Sequence, residues 1–105
     1  MFIVIFITCA NKNEAKKIAA GLIKAKLAAC VNIVKAIDSL FWGENKVDRA
    51  SEALLIVKSR KTKLARIIKK AKSLHSYSTP EIIALPIIGG DKDYLKWIDD
   101  SLNSQ

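Results

Sequence analysis

Three residues of this chain have metal-ligand side chains and fall near the ends of expected strands or helices: Cys9, His75 and Glu81. His75 is the only histidine. It opens the stretch His75-Ser-Tyr-Ser-Thr-Pro-Glu81, which leads straight into an apolar run at 82–88. A thiolate, an imidazole and a carboxylate together suit Zn²⁺ or copper, and the soft sulfur favours copper. Spacing alone is thin support, because Cys9 precedes His75 by more than sixty residues. A plainer reading stands beside it. Cys9 and Cys30 read equally well as small buried strand residues, and His75 as a helix C-terminal residue favoured by the helix dipole. Two cysteines without CxxC spacing make no disulfide framework, so reduced thiols are expected. A Cys–His nucleophile pair lacks an oxyanion motif and an orienting third group, and no Walker loop, G-x-G-x-x-G or S-x-x-K occurs. No enzyme is expected.

The elements that must position these residues follow from periodicity. Residues 2–9, dense in β-branched and aromatic side chains, read as a strand apolar on both faces. Asn11 caps a helix with Glu14 at its third position, a variant of the capping box. Ala15, Ile18, Ala19, Leu22, Ile23 and Leu27 follow at helical spacing, and Gly21 within the helix suggests close packing on the sheet. Residues 29–42 and 47–59 form a hairpin with unusually long arms, joined by a turn at 43–46 in which Asn45 tolerates positive φ. Thr62 is expected to cap a second helix lined by Leu64, Ile67, Ile68, Ala71 and Leu74. A last strand at 82–88 carries Pro86, which marks an edge or a bulge. Asp91 caps a short final helix with Tyr94, Leu95, Ile98 and Leu102 on it.

The order is β-α-β-β-α-β plus a short C-terminal helix, an α+β class with the ferredoxin-like split βαβ pattern on an antiparallel sheet. At 105 residues it is a single domain spanning 1–105. Two helices cover one face of such a sheet. The other face, apolar here and beyond the reach of a short final helix, calls for a second copy of the chain. No apolar run approaches the roughly 20 residues of a membrane span, and no signal peptide is read at the N-terminus, so a cytoplasmic location is expected. The net charge of +8 collects largely on Lys61, Lys63, Arg66, Lys69, Lys70 and Lys72, the outer face of one helix, which reads as a solvated surface. The third strand has no aromatics on which bases stack, so no nucleic acid is expected on the sheet.

Five segments in order, Lys26-Leu-Ala-Ala-Cys-Val-Asn-Ile33, Ser39-Leu-Phe-Trp42, Ala53-Leu-Leu-Ile-Val-Lys58, His75-x-Tyr-x-x-Pro-Glu81 and Tyr94-Leu-Lys-Trp97, resemble the CutA divalent-cation tolerance proteins. The resemblance implies a homotrimer in which long hairpins pair with neighbouring sheets. It implies binding of copper or another divalent cation, with ligands at Cys9, His75 and Glu81. It also implies an inter-subunit cleft at Trp42, Glu44, Lys58 and Tyr77. Ser76 replaces the family's usual proline after the histidine, Gly43 a second aromatic, Asn45 a glycine and Lys35 a proline. A second reading compares the chain with trimeric PII-type signalling modules, where Lys58 and Arg60 would contact a small anion or nucleotide. A third reading makes Trp42, Tyr77 and Glu81 plain interface builders.

Overall fold

A computed structural model describes residues 1–103. The chain runs β1 (Phe2–Cys9), α1 (Lys12–Lys24), β2 (Cys30–Trp42), β3 (Val47–Arg60), α2 (Leu64–Leu74), β4 (Ile82–Pro86) and α3 (Lys92–Asn103). The strands lie in the order β2-β3-β1-β4, and every neighbouring pair is antiparallel. This is the expected α+β architecture.

Local chemistry sets most boundaries. Asn11, in extended conformation, accepts the Glu14 N–H on its side-chain oxygen at 2.9 Å and starts α1. Asp91 does the same for α3, accepting the Tyr94 N–H at 2.9 Å. Asn45 takes a φ of 61° in the β2–β3 turn, as the sequence suggested. Helix α1 stops earlier than its apolar spacing implies. Lys26 adopts a φ of 60°, with Lys26 N–H bonded to Ile23 O and Leu27 N–H to Leu22 O, the pairing of a Schellman end. Leu27 is therefore buried from the following turn and not from the helix. Thr62 does not cap α2: residues Lys61–Lys63 form a 3₁₀ turn first, tied by the Lys61 N–H to Met1 O, and the helix begins at Leu64 without a side-chain cap.

Strict alternation along β1 and β3 puts one set of side chains under the helices. Ile3, Ile5, Ile7 and Cys9 meet Ala53, Leu55 and Val57, and Ala15, Ile18 and Leu22 of α1 and Ile67 and Ala71 of α2 close over them. Each large side chain so buried contributes about 1.5–3 kcal/mol. Gly21 serves a contact between α1 and α2, not with the sheet: a Cβ there would lie 2.8 Å from Leu74 Cδ1.

The opposite face carries Phe2, Val4 and Phe6, aligned with Leu85 and Ile83 of β4 and with Ile56 of β3. Helix α3 covers one end of this face. Its Asp99 pairs with Arg60 at 2.8 Å, the Arg60 guanidinium stacks over the Phe2 ring, and Ile98 and Leu102 are buried apart from the main core. Ile83, Leu85 and Val34 stay exposed.

Pairing of β1 with β3 ends at Cys9–Ala53, and at that level β2 bulges between Val34 and Ile37. Beyond the bulge the hairpin leaves the sheet with only its own two strands. Fourteen residues of β3 at about 3.3 Å each give about 45 Å, which accounts for the 46 Å long axis of the molecule. Its far end exposes Leu40 (73%), Trp42 (78%) and Val47 (59%).

Candidate functional site

Cys9 ends β1 with its side chain on the helix-covered face, fully buried. The chain then turns into α1, whose first turn holds Glu14 close to where β1 ended. Helix α2 runs antiparallel to α1 and delivers His75 to the same place from the other side. One ligand atom each of Cys9, Glu14 and His75 lies within 4.8 Å of the others. The structure thus brings together Cys9 and His75, as the sequence suggested, and adds Glu14 in the position expected of Glu81.

Glu81 is kept out by the period of two along a strand. Ile82 pairs with Ile7 on the core side, so Glu81, whose carbonyl accepts the Thr8 N–H at 3.3 Å, belongs with Thr8 on the opposite face of the sheet. Cys9, one residue further along β1, faces the core. A carboxylate at position 81 and a thiol at position 9 are separated by the sheet itself. Glu14 was read from sequence only as a capping residue. Its distance of five residues from Cys9 across a strand-to-helix turn was the one signal that could have placed it here.

All three groups are held by hydrogen bonds. Glu14 accepts the Ala10 N–H at 2.8 Å on Oε2 and the Ser76 N–H at 2.7 Å on Oε1. His75 Nδ1 accepts the Tyr77 N–H at 3.0 Å, which leaves Nε2 to carry the ring proton and donate it to Thr8 O at 2.7 Å. The His75 side chain is wholly shielded from solvent, and its Nδ1 lies 3.7 Å from Glu14 Oε2. Burial pushes the Cys9 thiol up to about 12, helped by the negative charges of Glu14 and Glu52. Burial also pushes the Glu14 carboxyl up, but the hydrogen bonds from Ala10 and Ser76, with His75 nearby, outweigh it and bring the carboxyl below its ordinary value.

By donor kind and by proximity the trio fits a soft divalent ion. No buried side-chain nitrogen or oxygen among the described residues lacks a partner. A cation would therefore exchange for existing hydrogen bonds and for the thiol proton, and would not simply fill a gap.

A second feature lies across the sheet from the trio. Thr8, Ser39, Leu40, Phe41, Ala50, Glu52, Tyr77, Thr79 and Glu81 line a cavity of about 590 Å³ at the base of the projecting hairpin, a volume in the range of ligand pockets. Tyr77 donates its hydroxyl to Glu52 Oε2 at 2.8 Å. Burial and that carboxylate push the Tyr77 phenol up to about 12. Of the four expected cleft residues, Tyr77 alone lines this cavity. Trp42 and Glu44 lie at the hairpin's far end, and Lys58 is six residues from Glu52 along β3, on the order of 20 Å away. Lys58 bonds Asn32 Oδ1, and Arg60 is taken by Asp99 and Phe2. The anion contacts of a PII-type module are thus already engaged within the chain.

Residues 3–101 match the sequence family described as CutA1 divalent ion tolerance protein. The chain is 46% identical over 99 residues to the chloroplastic protein CutA 1 of Oryza sativa subsp. japonica, a match that spans 94% of this chain and 56% of that protein. It is 47% identical over 98 residues to the divalent-cation tolerance protein CutA of Archaeoglobus fulgidus, spanning 93% and 95%. The chain therefore covers about half the length of the plant relatives, which include the chloroplastic CutA of Arabidopsis thaliana at 54% coverage. Among solved structures, the periplasmic divalent cation tolerance protein CutA from Archaeoglobus fulgidus superposes with a TM-score of 0.94 at 46% identity, covering 98% of this chain and all of that one. No helix of the described residues is long and apolar enough to cross a membrane.

Proposed function

Given that the chain belongs to the CutA1 divalent ion tolerance protein family, we propose that it is a non-catalytic cation-binding protein of the cytoplasm. It works as a homotrimer, and copper or a similar divalent ion is held at Cys9 and His75. The observation that carries this reading is the convergence of a thiol, an imidazole and a carboxylate from three separate elements within 4.8 Å.

Self-association is supported by the apolar face left beyond α3 and by the exposed Leu40, Phe41, Trp42 and Val47 on a two-stranded arm that its own sheet does not support. In an assembly the arm would lie along a neighbouring sheet, and the Tyr77–Glu52–Glu81 cavity at its base would border the junction between subunits. Isothermal titration with Cu²⁺ tests the cation site. The wild-type chain is expected to bind it and His75→Ala to bind it more weakly, while identical curves would remove His75 from the site.

A further inference from the structure

We propose that Glu14 is the carboxylate ligand of the cation site, and that binding there releases the turn at Ser76 and Tyr77. This rests on the reading of Cys9 and His75 as cation ligands and adds to it a third ligand and a consequence.

The geometry argues for Glu14 in two steps. Glu81 cannot reach, because it belongs to the other face of the sheet, whereas Glu14 Oε2 already stands 3.7 Å from His75 Nδ1. Moreover, the side chains a cation needs are the ones that now fix the turn, His75 through Nδ1 itself and Glu14 through Oε1, the partner of the oxygen that faces His75. The Ser76 N–H is held by Glu14 Oε1 at 2.7 Å, and the Tyr77 N–H by His75 Nδ1 at 3.0 Å. A lone pair on Nδ1 serves either the Tyr77 N–H or a metal, not both. A carboxylate drawn toward a cation likewise loosens its hold on Ser76. No proline at position 76 stiffens the turn, and Ser76 is exposed, so its freed N–H can bond to water at little cost.

The consequence reaches the hairpin. Tyr77 follows directly, and its hydroxyl is the link to Glu52 on β3 at the cavity wall. Releasing the turn loosens that link. Two arrangements of one segment, biased by different contacts in each, are what a cation-dependent change at the hairpin base requires.

The experiment uses Zn²⁺, which is diamagnetic and redox-inert, with the intact chain and three variants: Glu14→Gln, Glu14→Asp and Glu81→Gln. Titration calorimetry is expected to show zinc binding by the wild type and a loss of about tenfold or more in Glu14→Gln, the scale seen when a metal site loses a supporting group. Glu14→Asp falls between, and Glu81→Gln matches the wild type. Hydrogen exchange read by mass spectrometry then reports on the turn: zinc speeds exchange of the Ser76 and Tyr77 amides in the wild type. That readout needs no variant, so the proposal stays testable even if a Glu14 substitution unfolds the chain. Wild-type binding with Glu14→Gln unchanged, or with the two amides unaffected, overturns the proposal and leaves the Cys9–His75 site standing. Absence of wild-type binding to both zinc and copper overturns the parent reading and this one with it.

Discussion

Replacing Glu14 by alanine removes the acceptor for two backbone donors at once, the N–H of Ala10 where β1 ends and the N–H of Ser76 where α2 has just stopped. Hydrogen bonds to a charged group contribute about 1.5–3 kcal/mol each. The side chain is only 11% exposed, which preserves their strength, but Ser76 is exposed and recovers part of its loss from water. The lower end of the range is therefore appropriate, about 2–3 kcal/mol for the pair. Urea unfolding at pH 7 and one fixed protein concentration reads this as a midpoint lower by about 1–1.5 M for a slope near 2 kcal/mol/M. The pH dependence gives a second, independent reading. The folded carboxyl titrates below its ordinary value of 4.5. Its stabilising contribution is thus complete above that value and is lost as the pH falls through the folded one. The gap between wild type and variant should be full at pH 7 and close as the pH drops below 4.5. A gap under about 0.5 kcal/mol at pH 7, within what ordinary surface substitutions do, or a gap that persists undiminished to pH 3, would refute the assignment of both amides to this carboxylate.

Ellman's reagent at pH 8 should react with Cys30 and leave Cys9 untouched until the chain unfolds, since Cys9 is buried and its thiol is pushed up to about 12; equal labelling of both in the native state contradicts this. Ser59→Ala, which strands the Leu27 carbonyl that now accepts the Ser59 hydroxyl at 2.6 Å in a fully buried setting, is expected to cost about 1–3 kcal/mol in thermal or urea unfolding. A glutamate at Ile83 places a charge on the open apolar face, and sedimentation should find the wild type at a multiple of 11.6 kDa and Ile83→Glu shifted toward the monomer; a monomeric wild type would remove the proposed assembly.

What could be read from the sequence was what local chemistry dictates. Asn11, Asn45 and Asp91 do where they stand what their side chains do in any short peptide, whereas β1, apolar on both faces, gave no sign of which of its two sets of side chains forms the core. Thr62 failed as a cap because the chain is drawn into a 3₁₀ turn by the Lys61–Met1 bond, a contact sixty residues apart. Leu27 kept helical spacing after the helix had ended, because Lys26 occupies a left-handed conformation more often given to glycine. The approach of Cys9 to His75 was legible because the split βαβ order carries both chain segments to one end of the sheet. Glu81 was misplaced and Glu14 overlooked for one reason: sequence proximity to the histidine says nothing about which face of a strand a side chain takes. That face follows only from the register of β4 against β1.

Whether Cys9 and His75 share a cation is decided by a crystal of the protein soaked in Zn²⁺ or Cu²⁺ and read through the metal's anomalous scattering. The expected peak is bonded to Cys9 Sγ and His75 Nδ1, with a Glu14 oxygen in the same sphere and the Tyr77 N–H no longer on the ring. A peak at Glu52 and Glu81 on the other side of the sheet, with the Cys9–Glu14–His75 hydrogen bonds intact, would contradict it.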